Sequence, residues 1–110
     1  MGSMHRAAES ADLVLDKPLA VRVGGREILL VRTAEGLFAL EDLCPHAQQP
    51  LSTGKATGSL LTCKHHGVRI DLGTGRVVES MGFLGLQPVE RFELREEAGA
   101  IWIELPEEAH

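Results

Sequence analysis

Apolar and polar residues alternate over short stretches of this chain, and turn residues separate the stretches. Residues 19–23 alternate, the glycines at 24–25 supply a two-residue turn, and residues 26–32 form a second strand with an apolar centre. A turn at 33–36 leads into a further short strand at 37–40. Because no window of helical length keeps an apolar period of about 3.6 residues, the pattern predicts a β-meander rather than helices.

Strands resume in the second half of the chain. The predicted segments are 59–62, 68–72 and 76–79, followed by a last hairpin that joins 89–96 to 100–105. In the final strand Ile101, Ile103 and Leu105 occupy alternate positions, so they share one face. The whole pattern predicts an all-β chain.

Between residues 41 and 61 the strand pattern lapses. This stretch contains Pro45, Pro50, Gly54 and Gly58, and it is long for a domain of this size. A loop of such length in a compact domain usually has a function. We therefore look for the chemistry of the protein there, and a second loop is expected at 80–85.

Composition limits the classes of protein. The chain has 110 residues, of which 44% are hydrophobic and 25% are charged, as in a single globular domain. A net charge of −5 argues against nucleic-acid binding, which needs a basic surface, and favours a positively charged protein partner. No apolar run reaches the ~20 residues of a membrane span, so we expect no membrane association and a cytoplasmic location.

The first residues look like an expression scar. Met1-Gly2-Ser3 precedes a second methionine, Met4, at which a native sequence would begin. We therefore set residues 1–3 aside and treat residues 4–110 as one domain.

Two short motifs combine cysteine with histidine. Cys44-Pro45-His46 is followed, after 16 residues, by Cys63-Lys64-His65-His66-Gly67. Taken singly, the histidines would be ordinary surface or core residues, and the cysteines two buried thiols or one disulfide. Taken jointly, each motif places a thiolate and an imidazole in one loop, so two facing loops can enclose a metal centre.

A zinc site with two cysteines and two histidines is the main chemical alternative. Common zinc modules pair cysteine with cysteine and histidine with histidine at short spacing. Two mixed pairs suit instead a cluster with one sulfur-bound and one nitrogen-bound iron.

The two motifs, together with the glycine-containing stretch 71–75, resemble a Rieske-type ferredoxin such as the ferredoxin component of bacterial aromatic-ring-hydroxylating dioxygenase systems. The resemblance covers residues 13–105. It implies an all-β, Rieske-like fold of antiparallel sheets packed as a sandwich. It also implies one [2Fe-2S] cluster in a small subdomain formed by loops 42–52 and 62–72. The implied ligands are Cys44 and Cys63 on the inner iron, and His46 and His66 on the outer iron. The Cys-x-x-His spacing selects His66 and leaves His65 as a flanking residue; an exchange of their roles is the alternative.

The resemblance also implies a low reduction potential. High-potential relatives have a second cysteine in each loop, at positions matching Gln49 and His65, and these two cysteines form a disulfide. They also have a serine and a tyrosine whose hydroxyls donate hydrogen bonds to the cluster, at positions matching Val68 and Ile70. Neither of these side chains can donate, and the chain has no tyrosine.

The implied function is that of a one-electron carrier with no catalytic residues of its own. Such a ferredoxin passes electrons from a flavin-containing reductase to a terminal Rieske oxygenase through the exposed edge of the cluster. The residues expected around that edge are Pro45, Gln48, Lys64, His65, Gly82 and Phe83.

Two other functions share the motifs. One is a small subunit or accessory domain of a nitrite-reductase type, although some members of that group lack the ligands that are present here. The other is the isolated Rieske domain of an oxygenase. A strand followed by a short polar tail at 105–110 favours a complete protein over such a fragment. Relatives commonly place a proline in the loop that covers the cluster, whereas residues 80–85 contain none.

Overall fold

The computed structural model describes residues 2–45, 49–64 and 67–106. Apart from two short 3-10 turns, at Ser10–Asp12 and Leu51–Thr53, the regular elements of these residues are all strands. The predicted all-β class is confirmed. The strands are β1 (Gly2–Glu9), β2 (Leu19–Val23), β3 (Arg26–Thr33), β4 (Gly36–Glu41), β5 (Lys55–Thr57), β6 (Leu60–Thr62), β7 (Arg69–Asp71), β8 (Val77–Glu79), β9 (Leu94–Glu97) and β10 (Ala100–Pro106).

The strands form three antiparallel sheets. The terminal sheet has the order β1-β10-β9, the central sheet β2-β3-β4, and the four-stranded sheet β5-β6-β7-β8. In the central and four-stranded sheets the strands pair in the order in which they follow along the chain, so short connections suffice. The predicted meander at 19–40 is the central sheet.

The central sheet lies between the other two, and this explains the apolar run in β3. Leu29 and Val31 belong to a core shared with the four-stranded sheet, whereas Ile28 and Leu30 belong to a core shared with the terminal sheet. Successive residues of a strand point to opposite faces, so a strand covered on both faces needs apolar residues at every position. All four side chains are fully buried.

The hairpin between β2 and β3 has the predicted turn. Val23 pairs with Arg26, and Gly24 and Gly25 have φ angles of 58° and 79°. Two consecutive positive φ angles characterise the type I′ turn, whose twist matches that of the flanking strands.

The sequence pattern did not predict two of the strands, β1 and β5. β1 contains Gly2 and Ser3, which pair with Pro106 and Leu105, so part of the segment that we set aside belongs to the terminal sheet. This strand lies at a sheet edge and is joined to β10 through its backbone, so its side chains show no apolar alternation. β5 has only three residues and lies inside the stretch expected to be a loop.

The last hairpin is shorter than expected. Its strands are β9 and β10, and residues 89–93 lie outside them, although Val89 and Phe92 are buried. Ile101, Ile103 and Leu105 share the buried face of β10, as predicted. None of the described segments forms a helix with the length and apolarity needed to cross a bilayer.

An ion pair joins the central sheet to the terminal sheet. Arg32 Nη2 of β3 lies 2.8 Å from Glu96 Oε2 of β9. Hydrogen bonding from the Arg32 guanidinium lowers the pKa of Glu96 below its usual 4.5. The stabilisation from this pair is therefore present above pH 4.5 and is lost as the pH falls through the lowered pKa.

We predict that Gly75→Ala destabilises the protein far more than Gly99→Ala. Both glycines have a positive φ, 77° and 76°, so alanine incurs a similar backbone cost of about 1 kcal/mol at either position. A Cβ at Gly75 would also overlap the carbonyl oxygen of Val89, whereas a Cβ at Gly99 meets open space. We expect a total loss of about 3 kcal/mol for Gly75→Ala in urea unfolding. Equal losses in the two variants would contradict this close approach.

Candidate metal centre

The first cysteine stands at the start of a loop that follows β4. Cys44 is 2% exposed, and its backbone N–H donates a hydrogen bond of 2.8 Å to the carbonyl of Gln49. This bond joins the first and last residues of the segment 44–49. The backbone of Gln49 therefore helps to hold Cys44 in place.

The second cysteine stands at the start of the loop between β6 and β7. Cys63 is 3% exposed, and its N–H donates a hydrogen bond of 2.8 Å to the carbonyl of Val68. The Gly67 N–H donates back to the Cys63 carbonyl at 3.2 Å, with Gly67 at a φ of 73°. In both loops the cysteine amide therefore bonds to the carbonyl five residues further along. The second loop, at 63–68, is shorter than the expected 62–72 because β7 begins at Arg69.

The two sulfur atoms lie together. Cys44 Sγ and Cys63 Sγ are 3.3 Å apart. That separation is too long for a disulfide, which has a sulfur–sulfur distance of about 2.05 Å. It approaches the ~3.8 Å that separates two thiolates on one tetrahedral ion with metal–sulfur bonds of about 2.3 Å.

Burial supports the same assignment. Both cysteines belong to the core shared by the central and four-stranded sheets, among residues such as Leu51, Leu61 and Ile70. An isolated thiolate would be costly there, but coordination to iron neutralises the charge. The cysteines therefore fit the inner half of a [2Fe-2S] site.

The predicted histidine ligands, His46 and His66, lie outside the described residues, as does the flanking His65. Within the described ranges, no group of three or more His, Cys, Asp or Glu side chains lies close enough to hold a metal ion. The described cysteines bring two sulfur donors together, and by sequence each predicted histidine belongs to a loop that starts at one of them.

A polar contact that the sequence did not reveal braces the first loop. Asp42 is 7% exposed, and its two carboxylate oxygens accept hydrogen bonds from the backbone N–H and the hydroxyl of Ser52, each at 2.7 Å. The two residues are ten positions apart, with no motif to connect them. Their contact ties the start of the Cys44 loop to the 3-10 turn beyond it.

The two positions that the resemblance links to the reduction potential are apolar and buried. Val68 and Ile70 are both 0% exposed. The carbonyl of Val68 also accepts the hydrogen bond from the Cys63 N–H, so the backbone of Val68 lies where the Cys63 loop ends. Neither side chain can supply the hydroxyl hydrogen bond found in high-potential centres.

The loop expected at 80–85 approaches the second cysteine loop. A Cβ on Gly67 would lie 3.6 Å from Met81 Cε, so the Met81 side chain passes close to the Gly67 backbone. Positive φ angles at Met81, Gly82 and Gly85 shape this segment, which has no proline. The glycines give the segment turns that a proline would not form.

We predict that Asp42→Ala costs more stability than Ser52→Ala. Ser52→Ala removes one hydrogen bond, worth about 1 kcal/mol, whereas Asp42→Ala removes two and leaves the Ser52 amide without its acceptor. We expect a loss of about 2–3 kcal/mol for Asp42→Ala, measured by urea unfolding, together with faster loss of iron from the purified protein. If both variants lose iron at the wild-type rate, the contact does not brace the site.

Comparisons with known proteins agree with this geometry. Residues 3–86 match the family described as the Rieske [2Fe-2S] domain. The chain is 38% identical over 91 residues to the 4beta-methylsterol monooxygenase of Methylococcus capsulatus, covering 76% of this chain and 24% of that protein. It is 37% identical over 75 residues to the anthranilate 1,2-dioxygenase ferredoxin subunit of Burkholderia cepacia, covering 68% and 69% of the two chains.

A solved structure extends the match to the whole fold. The ferredoxin of carbazole 1,9a-dioxygenase from Nocardioides aromaticivorans IC177 superposes with a TM-score of 0.82 at 26% identity, covering 96% of this chain and 99% of that one. The chain spans about a quarter of the length of the oxygenases that it matches, but most of the length of the ferredoxins. From its paired cysteine loops, its three-sheet fold and these matches, the chain belongs to the Rieske [2Fe-2S] domain family, and its cofactor is one [2Fe-2S] cluster of the Rieske type.

Proposed function

We propose that this protein is a low-potential one-electron carrier that links a flavin-containing reductase to a terminal Rieske oxygenase. The observation that carries the proposal is the 3.3 Å approach of two buried cysteine sulfurs at the starts of two similarly closed loops. When bound, the cluster supplies reversible one-electron chemistry. Electron transfer of this kind requires no substrate-binding site, so no cavity or side-chain group of the described residues is assigned to a substrate.

Two pairs of residues are proposed to bind the cluster, one of cysteines and one of histidines. Cys44 and Cys63 would hold the inner iron inside the core, and His46 and His66 would hold the outer iron. Because the sulfurs are buried, the cysteine side of the site is shielded from water, and a partner would approach from the side of the proposed histidine ligands. The hydrogen bonds at the loop necks keep both cysteines in place during electron transfer, so little reorganisation is required.

The partners follow from the ferredoxin relatives. The anthranilate and carbazole ferredoxins are named as components of dioxygenases, and this chain covers most of each. An oxygenase partner that acts on an aromatic compound is therefore proposed, with a flavin-containing reductase as electron donor. A cytoplasmic location is part of the proposal, because two cysteines are too few for the disulfide framework of a small secreted domain.

A second candidate function is that of the Rieske domain of an oxygenase. The 38% identity to a sterol monooxygenase favours it. Reconstitution distinguishes the two functions: a carrier restores hydroxylation when it is added to a separate reductase and oxygenase, whereas an oxygenase domain does not.

We predict that His66→Gln abolishes cluster binding and that His65→Gln does not. The variants change adjacent residues in the same way, so they differ only in which imidazole is lost. Purified wild-type protein and His65→Gln should contain two irons and two acid-labile sulfides per chain and show visible bands that dithionite bleaches. His66→Gln should be colourless, with far less iron.

Two results would contradict these assignments. Loss of iron from His65→Gln with retention in His66→Gln would exchange the roles of the two histidines. Colourless wild-type protein with stoichiometric zinc would exclude the electron-transfer function altogether.

We predict a midpoint potential near the low end of the Rieske range, about −150 mV. Val68→Ser should raise it, because a hydroxyl at this position can donate a hydrogen bond to the reduced cluster. A bond worth about 1 kcal/mol corresponds to about 40 mV for a one-electron couple. Val68→Ala is the control, since it removes volume without adding a donor. A wild-type midpoint well above zero, or equal shifts in the two variants, would contradict the prediction.

A further inference from the structure

Charge is unevenly distributed between the two ends of the fold. Residues 43–89, which include both cysteines and the four-stranded sheet, carry four basic and two acidic side chains, for a formal charge of +2; Asp42, at the start of the Cys44 loop, lowers this to +1. The rest of the chain, residues 1–42 and 90–110, carries a formal charge of −7, and the two parts together give the net charge of −5. Part of the acidic excess lies in 90–106, where five acidic and two basic residues contribute to the end of the fold that contains the terminal sheet.

Ion pairing sharpens this difference. Six arginines pair with carboxylates in the described part of the chain, and none of these pairs falls within 43–89. The two carboxylates in that range accept hydrogen bonds from backbone N–H groups instead. Asp71 accepts from the N–H groups of Gly73 and Thr74, and Glu79 accepts from that of Met81. The basic side chains of the range take part in no ion pair among the described residues.

Two of these cations stand next to the cysteine site. Lys55 and Lys64 are exposed, and they line a cavity of about 230 Å³ together with Cys63. Lys55 pairs in register with Thr62, the last residue of β6, and Lys64 follows two residues later, so both lysines lie near the end of β6 from which the Cys63 loop starts. Their charges reinforce each other at the rim of the site.

Apolar side chains lie beside the same loop. Leu84 is 94% exposed and Met81 is 55% exposed, and Met81 passes close to Gly67 of the Cys63 loop. An exposed leucine and methionine on a short loop of no charge are typical of the centre of an interface, with charged groups at its rim. We call Lys55, Lys64, Met81 and Leu84 the cationic docking surface.

We propose that the cationic docking surface binds a redox partner protein whose docking site is apolar at the centre and ringed by carboxylates. This inference rests on the proposed function and specifies its partner. The net charge of −5 alone favours a positively charged partner, but the charge next to the electron-transfer site is positive. Because attraction acts over a Debye length of about 8–10 Å, the local lysines govern productive docking more than the distant acidic residues do.

The test uses the holoprotein, reduced with dithionite, and two acceptor proteins. Cytochrome b5 presents carboxylates around its haem edge, and cytochrome c presents lysines. Each transfer moves one electron from the reduced protein to a ferric haem, which becomes ferrous. We expect the rate with cytochrome b5 to fall as ionic strength rises, and the double variant Lys55→Glu/Lys64→Glu to lower it roughly tenfold at low salt.

Lys17 provides a matched control. It is exposed, lies outside 43–89 and takes part in no ion pair of the described residues. Lys17→Glu makes the same charge change per site and should leave the rate within about twofold of wild type. An equal loss in Lys17→Glu, or a cytochrome b5 rate that increases with salt, would overturn the proposal.

A second measurement does not depend on electron transfer. Carbodiimide joins a carboxylate of cytochrome b5 to a lysine amine with loss of water, and peptide mass spectrometry locates the link. We expect links at Lys55 and Lys64, and links mainly at Lys17 would overturn the docking surface. Failure to reduce either cytochrome, with links still at Lys55 and Lys64, would instead contradict the proposed function.

Discussion

The contact between two buried sulfur atoms organises this protein. Cys44 and Cys63 are separated by 19 positions, belong to loops that follow different sheets, and still lie 3.3 Å apart in one core. Sulfurs held that closely in apolar surroundings are stable as metal ligands, because the iron compensates the charge that burial penalises. The central and four-stranded sheets must therefore pack together accurately for the site to exist.

The closures of the two loops explain how a small domain positions the site without a disulfide. Each cysteine amide bonds to the carbonyl five residues on, so the loop neck is fixed before any metal contact is made. The Asp42–Ser52 contact adds a brace to the Cys44 loop. Such preorganisation suits electron transfer, in which little rearrangement accompanies the change of charge.

The arrangement of sheets also separates two electrostatic regions. The central sheet stands between the cysteine loops and the terminal sheet, whose strands carry four carboxylates and two arginines, both paired. The strands of the terminal sheet are therefore net negative, on the far side of the central sheet from the cysteines. Partner choice depends on the local charge around the loops, and this can be opposite in sign to the charge of the whole chain.

The sequence by itself determined the meander, the buried face of β10 and the cofactor family. Residue type and short-range spacing suffice for these, because strand alternation, the Gly24-Gly25 turn and the two Cys/His motifs are local patterns. Only the tertiary structure revealed β1, β5, the Asp42–Ser52 brace and the place of Lys55 beside Lys64. Backbone pairing at an edge leaves little trace in side chains, and contacts between distant residues depend on how sheets pack. The sulfur–sulfur contact also depends on sheet packing. The two motifs identify Cys44 and Cys63, but only the packing of the central and four-stranded sheets brings their sulfurs together.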